Sequence, residues 1–558
     1  MAALDPPASS RLASYLSRLS PIPAFPRYTG PYKVGTVDVE MPVSELNSPS
    51  PAPELAADIP TVQFRVFYPA VAESDEKPIT WLPNPQRHHV SAYTKFVGLG
   101  STLSDIISFL PRHLYYATIP VHKNARAADA VTETKRWPTM VFSHGLGGGR
   151  NSYSYIAGSL ASHGVVVFCP EHRDGSAAVS FIRTPSRPPG RSSSSHTHRV
   201  VPYNRISHQV TPAVYEARED QLRIRMWELG LVHDAILAID RGRCPTNMNL
   251  TTPTLAHLAG RLDVHEPGRI VFGGHSFGAT TMHQFLKCNY HADAPEVAAM
   301  KNPLYSPARG SALRSQITHK NPTMLLDMWC LPILAPNSAP LLKLPLPVYA
   351  PVPTAPGGAA LLAVESEAFH NWTEHLHVKA KLLSPDPSCA VVTPQLYARP
   401  GAVQLPAPGF FYVVGSAHLS QSDFGILFPW LTKKIFDADQ PERTLRLNLR
   451  AQLQLLRANG VAVAPTHPDD LAEGGAAVDE SPGGVTDDKA ILDHRPGAVD
   501  HWRWIDTTGL GDFAGGTFGK SPEEQVQEGE PDMKGELEPS EKAVLAAPLA
   551  RTSSAAGT

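Results

Sequence analysis

One stretch near the middle of the chain restricts its fold more than any other: Arg269-Ile270-Val271-Phe272-Gly273-Gly274-His275-Ser276-Phe277-Gly278-Ala279-Thr280-Thr281. A short apolar run (Ile270 to Phe272) favours a strand and ends in glycine. The pattern Gly274-x-Ser276-x-Gly278 follows, and a helix-permissive segment continues through Met282, Phe285 and Leu286. This is strand, sharp turn and helix, with a serine at the apex. A serine hydroxyl is a poor nucleophile until a base takes its proton. A tight strand-to-helix turn pushes such an Oγ out of the sheet, and flanking glycines keep side chains from colliding there. The start of the helix directs its positive end and free N–H groups toward developing oxyanion charge.

With 558 residues the chain is longer than one minimal domain, but many of its 55 prolines lie in segments that cannot pack. The formal net charge of −3 gives no electrostatic basis for binding nucleic acid. Five cysteines (Cys169, Cys244, Cys288, Cys330, Cys389) are scattered without CxxC spacing. They read as reduced thiols of an intracellular protein, not as a disulfide frame or zinc site. The first residues, Met1-Ala2-Ala3-Leu4-Asp5, show neither a basic, apolar export signal nor a Met-Gly lipidation start. No apolar run is long enough for a membrane-spanning helix. The expected location is cytoplasmic, with peripheral membrane contact as an addition.

In chain order, residues 1–27 read as a flexible arm. Gly30 to Glu40 and Val62 to Pro69 alternate as strands and suit an antiparallel entry to a sheet. Apolar residues from Phe96 to Leu114 recur at helical spacing, either as core or as an amphipathic element touching lipid. Trp137 to Ser143 is a buried-type strand running into His144-Gly145-Leu146-Gly147, followed by a helix over 151–163 and a strand at Val165–Phe168. Such alternation predicts a parallel sheet with its working edge at the carboxyl ends of the strands. Residues 177–212 read as a Ser/Pro/Arg-rich loop insertion, and 335–358 as a proline-heavy one. Tyr215 to Asp240 carries an amphipathic stripe through Leu222, Met226, Leu229 and Ile236. Further strands are expected at Thr323–Asp327, Ala360–Val364 and Phe410–Val414, and a helix at Leu445–Ala458. The catalytic domain is thus 28–460. Residues 461–520 form a C-terminal extension with an aromatic knot at Trp502 and Trp504, and 521–558 a disordered tail.

A serine of this kind needs a histidine base and a carboxylate to hold it, arriving in the order Ser, acid, His, each just past a later strand. Asp327 is the first polar residue after Met324-Leu325-Leu326, with Glu365 and Glu367 as rivals past the following strand. His418 follows the last strand and a Gly415 turn, a position that sets it above His370, His375 and His377 among the 24 histidines. The oxyanion donors expected are the backbone N–H groups of Phe277, next to the serine, and of Leu146 in the early glycine-rich loop. No metal-ligand cluster or phosphate-cradling loop competes, so no cofactor or metal is expected.

Several segments together resemble the platelet-activating factor acetylhydrolases of the plasma and intracellular type II kind, in an extended, fungal-like form. They are Gly30-Pro31-Tyr32-x-Val34-Gly35, His144-Gly145-Leu146-Gly147, Leu160-Ala161-Ser162-His163-Gly164, Glu171-His172-Arg173-Asp174, Gly274-His275-Ser276-Phe277-Gly278-Ala279, Leu326-Asp327-x-Trp329 and Ser416-x-His418-x-x-x-x-Asp423-Phe424. The resemblance implies an α/β-hydrolase fold and metal-independent cleavage of short or oxidised sn-2 acyl groups from phospholipids. It also implies Ser276 as nucleophile, Asp327 as acid, His418 as base, and Leu146 and Phe277 as oxyanion donors. By the same resemblance the apolar segment from Leu103 to Leu114 would sit at the lipid interface. Two other expectations remain from the residues alone: a general carboxylesterase or lipase on neutral esters, and a non-catalytic hydrolase-like binding protein.

Overall fold

The two alternating runs near the start form β1 (Lys33–Pro42) and β2 (Thr61–Ala70), paired antiparallel with Val37 opposite Val66. The computed structural model describes residues 24–96, 112–184, 198–243, 245–252, 254–429, 433, 438, 440–473 and 488–512. The later strands are β3 (Trp137–Ser143), β4 (Val166–Glu171), β5 (Val271–His275), β6 (Thr323–Leu326), β7 (Leu361–Ser366), β8 (Gly409–Val413) and β9 (Trp502–Trp504). Across the sheet they run β1-β2-β4-β3-β5-β6-β7-β8-β9, with short strands at His122–Lys123 beside β1 and Leu262–Asp263 beside β3. From β4 to β8 every neighbour is parallel, while β2 against β4 and β9 against β8 are antiparallel. This is the mostly parallel, helix-flanked sheet of an α/β-hydrolase fold.

Parallel strands covered on both faces need apolar side chains in both directions. In β3, β6 and β7 successive residues alternate between two cores. Met140, Met324 and Leu362 face Leu160 of α2 (Ser154–Ser162) and Leu445, Leu449 and Leu456 of α6 (Pro441–Ala458). Val141, Leu325 and Ala363 face Leu222, Met226 and Leu229 of α3 (Pro212–Asp240) and Phe285 of α4 (Phe277–Tyr290). Two further helices bear on the site: α1 (Gln86–Phe96), and α5 (Thr373–Leu382) after β7.

Several segments differ from the sequence-based expectation. The ends of the 177–212 insertion pair as antiparallel strands, Val179–Arg183 against His198–Pro202. Residues 335–358 fold as short helical turns that bury Leu341, Val348 and Tyr349. The C-terminal extension is tied into the fold: Arg450 of α6 makes a buried ion pair with Asp488 at 2.7 Å, and β9 lengthens the main sheet. The lipid-facing element expected from Phe96 to Leu114 lies, apart from its two ends, outside the described residues, as do most of the arm and the whole tail from 521. Cys169, Cys288, Cys330 and Cys389 are free thiols. Among the described residues no helix is long and apolar enough to cross a membrane.

Trp502 is 4% exposed, stacks on Phe411 of β8 at 5.0 Å, and donates its indole N–H to Ile491 O at 2.7 Å. Removing the ring deletes both packing and an anchor, so Trp502→Ala is expected to lower stability by about 3–5 kcal/mol. Chemical denaturation measures this; an unchanged midpoint would mean that β9 is not part of the folded sheet.

Candidate active site

The serine elbow is strained and tightly enclosed. Ser276 caps α4 with φ 56° and ψ −122°, a conformation that L-residues rarely adopt and that costs about 1–3 kcal/mol. Surrounding backbone holds it there: Ser276 N–H donates to Leu326 O at 2.8 Å, and Ser276 O accepts from Thr280 N–H at 3.1 Å. The flanking glycines are steric requirements. A Cβ on Gly274 would lie 2.5 Å from the Gly278 carbonyl carbon, and one on Gly278 would overlap Ser143 O.

Asp327 and His418 meet at the carboxyl edge beside this elbow. His418 Nδ1 donates to Asp327 Oδ2 at 2.9 Å, with the Asp327 side chain fully buried and that of His418 12% exposed. The second Asp327 oxygen accepts Ser366 N–H at 2.6 Å, and the residue itself has φ 40°. The His418 ring lies between His275 (centroids 4.3 Å apart) and Phe369, stacked at 4.4 Å and 8°. Nε2 is the ring nitrogen that Asp327 does not hold. His275, Asp327 and His418 also bring donor atoms within 4.8 Å of one another, a spacing that a cation could bridge. However, Asp327 Oδ2 already holds His418, and His275 Nδ1 meets the Tyr153 hydroxyl at 2.8 Å.

The two oxyanion candidates are aimed by the planarity of the peptide bond. In a trans peptide the C=O and the next N–H point opposite ways. Gly145 O accepts Gly148 N–H at 3.2 Å and His144 Nδ1 at 2.9 Å, so Leu146 N–H is turned away from both. Ser276 O is likewise bound into α4, so Phe277 N–H projects from the helix start. Neither N–H has a partner among the described residues. The loop touches the elbow directly, since a Cβ on Gly145 would sit 2.9 Å from Ser276 Cβ.

Sequence reasoning missed what lies beneath that loop. Arg225 of α3, fully buried, pairs with Asp174 Oδ2 at 2.9 Å and donates to His144 O and Ser176 Oγ. It also reaches Thr281 Oγ1 of α4 at 3.1 Å and lies 4.5 Å over the Phe277 ring. Glu228, one turn on, binds His172 Nδ1 and Arg173 Nε, at 2.9 and 2.8 Å. The Glu171-His172-Arg173-Asp174 motif therefore supports the 144–147 loop. The signal was present in the sequence: Arg225 falls within the apolar stripe between Leu222 and Leu229, where an unpaired charge would not be tolerated.

The rival residues are engaged elsewhere. Glu365 forms a fully buried ion pair with Lys379 of α5, and burial pushes its carboxyl upward against the pull of that lysine. Glu367 accepts Gly415 N–H at 2.7 Å. His375 Nε2 accepts Cys330 N–H at 2.9 Å, His370 stacks on Tyr412 at 3.9 Å, and His377 contacts Gly511.

The sheet order, with the strained elbow and the Asp327–His418 pair at its carboxyl edge, is that of an α/β-hydrolase fold. A family model described as platelet-activating factor acetylhydrolase, isoform II, matches residues 19–346, and the chain belongs to that family. A Schizosaccharomyces pombe protein named "Putative phospholipase A2" is 26% identical over 455 residues, covering 78% of this chain and 92% of that protein. The platelet-activating factor acetylhydrolases of Cavia porcellus and Canis lupus familiaris are 29% and 27% identical, over 47% and 51% of this chain. The chain spans 52% and 58% of the length of those two relatives. A solved ferulic acid esterase from Streptomyces cinnamoneus is similar over 78% of this chain and 92% of its own, at 14% identity and a TM-score of 0.41.

The histidines around the site are held neutral. Burial, reinforced by nearby cations, drives His144 and His172 well below the ordinary value of 6.5, and burial beside His418 does the same to His275. Elsewhere in the core, burial lowers His163 and His233 to about 4. A histidine whose folded pKa is depressed stabilises the fold fully above its unfolded pKa, and that contribution is lost as pH falls below it, because only the unfolded chain takes the proton. Each such group costs about 1.4 kcal/mol per pH unit below about 6.5. Urea midpoints should therefore drop steeply between pH 7.5 and 5. A flat profile would mean that these imidazoles are protonated in the fold.

Proposed function

We propose that the chain hydrolyses short or oxidised sn-2 acyl esters of phospholipids by an acyl-enzyme mechanism with Ser276 as nucleophile, His418 as base and Asp327 as its holder. The observation that carries this reading is the 2.9 Å His418–Asp327 hydrogen bond at the edge of the sheet that bears the Ser276 elbow. With Nδ1–H committed to Asp327, His418 presents Nε2 as a base. Ser276 Oγ attacks the ester carbonyl while its proton passes to Nε2, and Leu146 and Phe277 N–H groups hold the oxyanion. The tetrahedral adduct collapses, the C–O bond to glycerol breaks, and the lysophospholipid alkoxide takes the proton from His418. Water then gives its proton to Nε2 and attacks the acyl-serine, releasing the acid and restoring Ser276.

The substrate class rests on the family and on the names of the two mammalian relatives. The name of the Schizosaccharomyces pombe relative supports a wider phospholipase A2 range, so acyl length is the property to measure. A panel of sn-2 acetyl, oxidised and long-chain phosphatidylcholines, with a triacylglycerol, separates these cases. Acetyl and oxidised chains are expected to turn over fastest, and equal rates on triacylglycerol would favour a general lipase.

Ser276→Ala is expected to abolish labelling by a fluorophosphonate and hydrolysis of an acetyl ester. Asp327→Asn should lower kcat by about 10³–10⁴, since the imidazole loses its tautomer control. Wild-type turnover by Ser276→Ala would overturn the mechanism.

A further inference from the structure

Tyr153, immediately before α2, plays no part in the mechanism above, yet its hydroxyl touches two pieces of the site. The side chain is nearly buried and its ring packs against Phe142 and His275, with centroids 5.2 and 5.4 Å away. Its oxygen accepts Gly145 N–H from the oxyanion loop at 3.1 Å and lies 2.8 Å from Nδ1 of His275, the residue preceding Ser276.

A phenol has one proton to donate. Among the described residues His275 Nδ1 is the acceptor within its reach, so the order is fixed: Gly145 N–H donates to Tyr153, and Tyr153 O–H donates to His275. A neutral His275 then carries its own proton on Nε2, and against burial the nearby backbone of His418 pulls its pKa upward. Its ring also lies against the His418 ring. The same logic applies on the other side of the loop. His172 N–H donates to His144 Nε2 at 3.2 Å, so the His144 proton sits on Nδ1 and is given to Gly145 O. Both peptide groups of Gly145 are thereby fixed, and Leu146 N–H takes its direction from them. Gly145 has no side chain to set its distance from Ser276; the hydroxyl of Tyr153 does so instead.

We propose that Tyr153 is a positioning residue: one proton-ordered relay, from Gly145 N–H through Tyr153 O–H to His275, holds oxyanion loop, nucleophile elbow and base in a common register. The proposal rests on the Ser276–His418–Asp327 reading above. Displacing a donor by a fraction of an ångström weakens the transition state more than the ground state. The relay therefore acts on kcat, leaving KM nearly unchanged.

The test is a double-mutant cycle on the full chain, comparing Tyr153→Phe, His275→Leu and the double variant, each titrated with a fluorophosphonate so that kcat refers to competent sites. Each single change is expected to lower kcat roughly 10- to 100-fold, less than the 10²–10³ for deleting an oxyanion donor outright. KM should stay within about 2-fold, and the affinity for a trifluoromethyl ketone, whose hemiketal carries an oxyanion, should fall by the same factor as kcat/KM. Because both residues serve one relay, the double variant should lose no more than the worse single one. His275→Asn, which keeps an acceptor near Nδ1, should recover most of the activity lost in His275→Leu. Wild-type kcat and inhibitor affinity in Tyr153→Phe, or losses that multiply in the double variant, would overturn the relay while leaving the triad intact. A wild-type chain that does not label would instead overturn the triad. If Tyr153→Phe does not fold, the comparison of His275→Leu with His275→Asn decides: equal activity of the two sinks the proposal.

Discussion

The contact between Gly278 and the carbonyl of Ser143 sets the spacing on which the site depends. It joins the first turn of α4 to the last residue of β3 with no side chain between them, because any Cβ on Gly278 would overlap that oxygen. The loop after β3 and the helix after β5 are thereby forced side by side, and Leu146 and Phe277 lie on the two parts. Arg225 reinforces the contact from below, one guanidinium donating to His144 O on the loop and to Thr281 Oγ1 on the helix. A buried ion pair such as Arg225–Asp174 returns little net stability, because both charges must lose their water. Its directionality matters here: a planar fork with fixed N–H vectors leaves its acceptors few alternative positions.

Charge is distributed around the site with similar economy. His144, His172, His275 and His375 are all buried near it, and burial drives each well below the ordinary histidine value. Their ring nitrogens act as fixed hydrogen-bonding dipoles, and several tautomers follow from their neighbours. His418 differs from them in keeping part of its ring exposed while its Nδ1 holds Asp327. Protonation is thus discouraged at the four fully buried rings. Glu365 emphasises the contrast. It lies on the strand next to Asp327 and would be a second acid, but Lys379 neutralises it.

Much of this was legible in the sequence because a parallel sheet converts chain order into place. Ser276, Asp327 and His418 each follow a short apolar run, and β5, β6 and β8 end where those runs end. Asp327 and Glu365 were harder to separate in the sequence, because Lys379, the partner that engages Glu365, lies on a later helix. The strand β9 was not legible. Trp502–Trp504 is too short to show a period, and its strand character comes from the open edge of β8 that it covers. The hairpin Val179–Arg183 was hidden for the opposite reason, since the serines and prolines beyond it dominate the composition of the whole insertion. Tyr153 and His275 carry no signal of their own, because their roles exist only once Gly145 is beside them.

The start of α2 links these parts. Residue 153 joins the 144–147 loop to the elbow through its hydroxyl, and residues 154 and 155 hold the loop that carries His418. That second link runs through Asp423, whose buried carboxylate accepts Ser154 N–H at 2.8 Å, Tyr155 N–H at 3.0 Å and Trp81 Nε1–H at 2.9 Å. A carboxylate at the N-terminus of a helix meets amides that have no partner within the helix, and the helix dipole favours it there. His418 is five residues before Asp423, and Asp423 N–H donates back to Ser152 O at 3.0 Å. His418 is thus fastened to the same turn of backbone as the 144–147 loop, although the two lie far apart along the chain. The family match ends at residue 346, before His418 is reached. The physical tie across that boundary is Asp423, which makes the first turn of α2 a common support for His418 and the 144–147 loop.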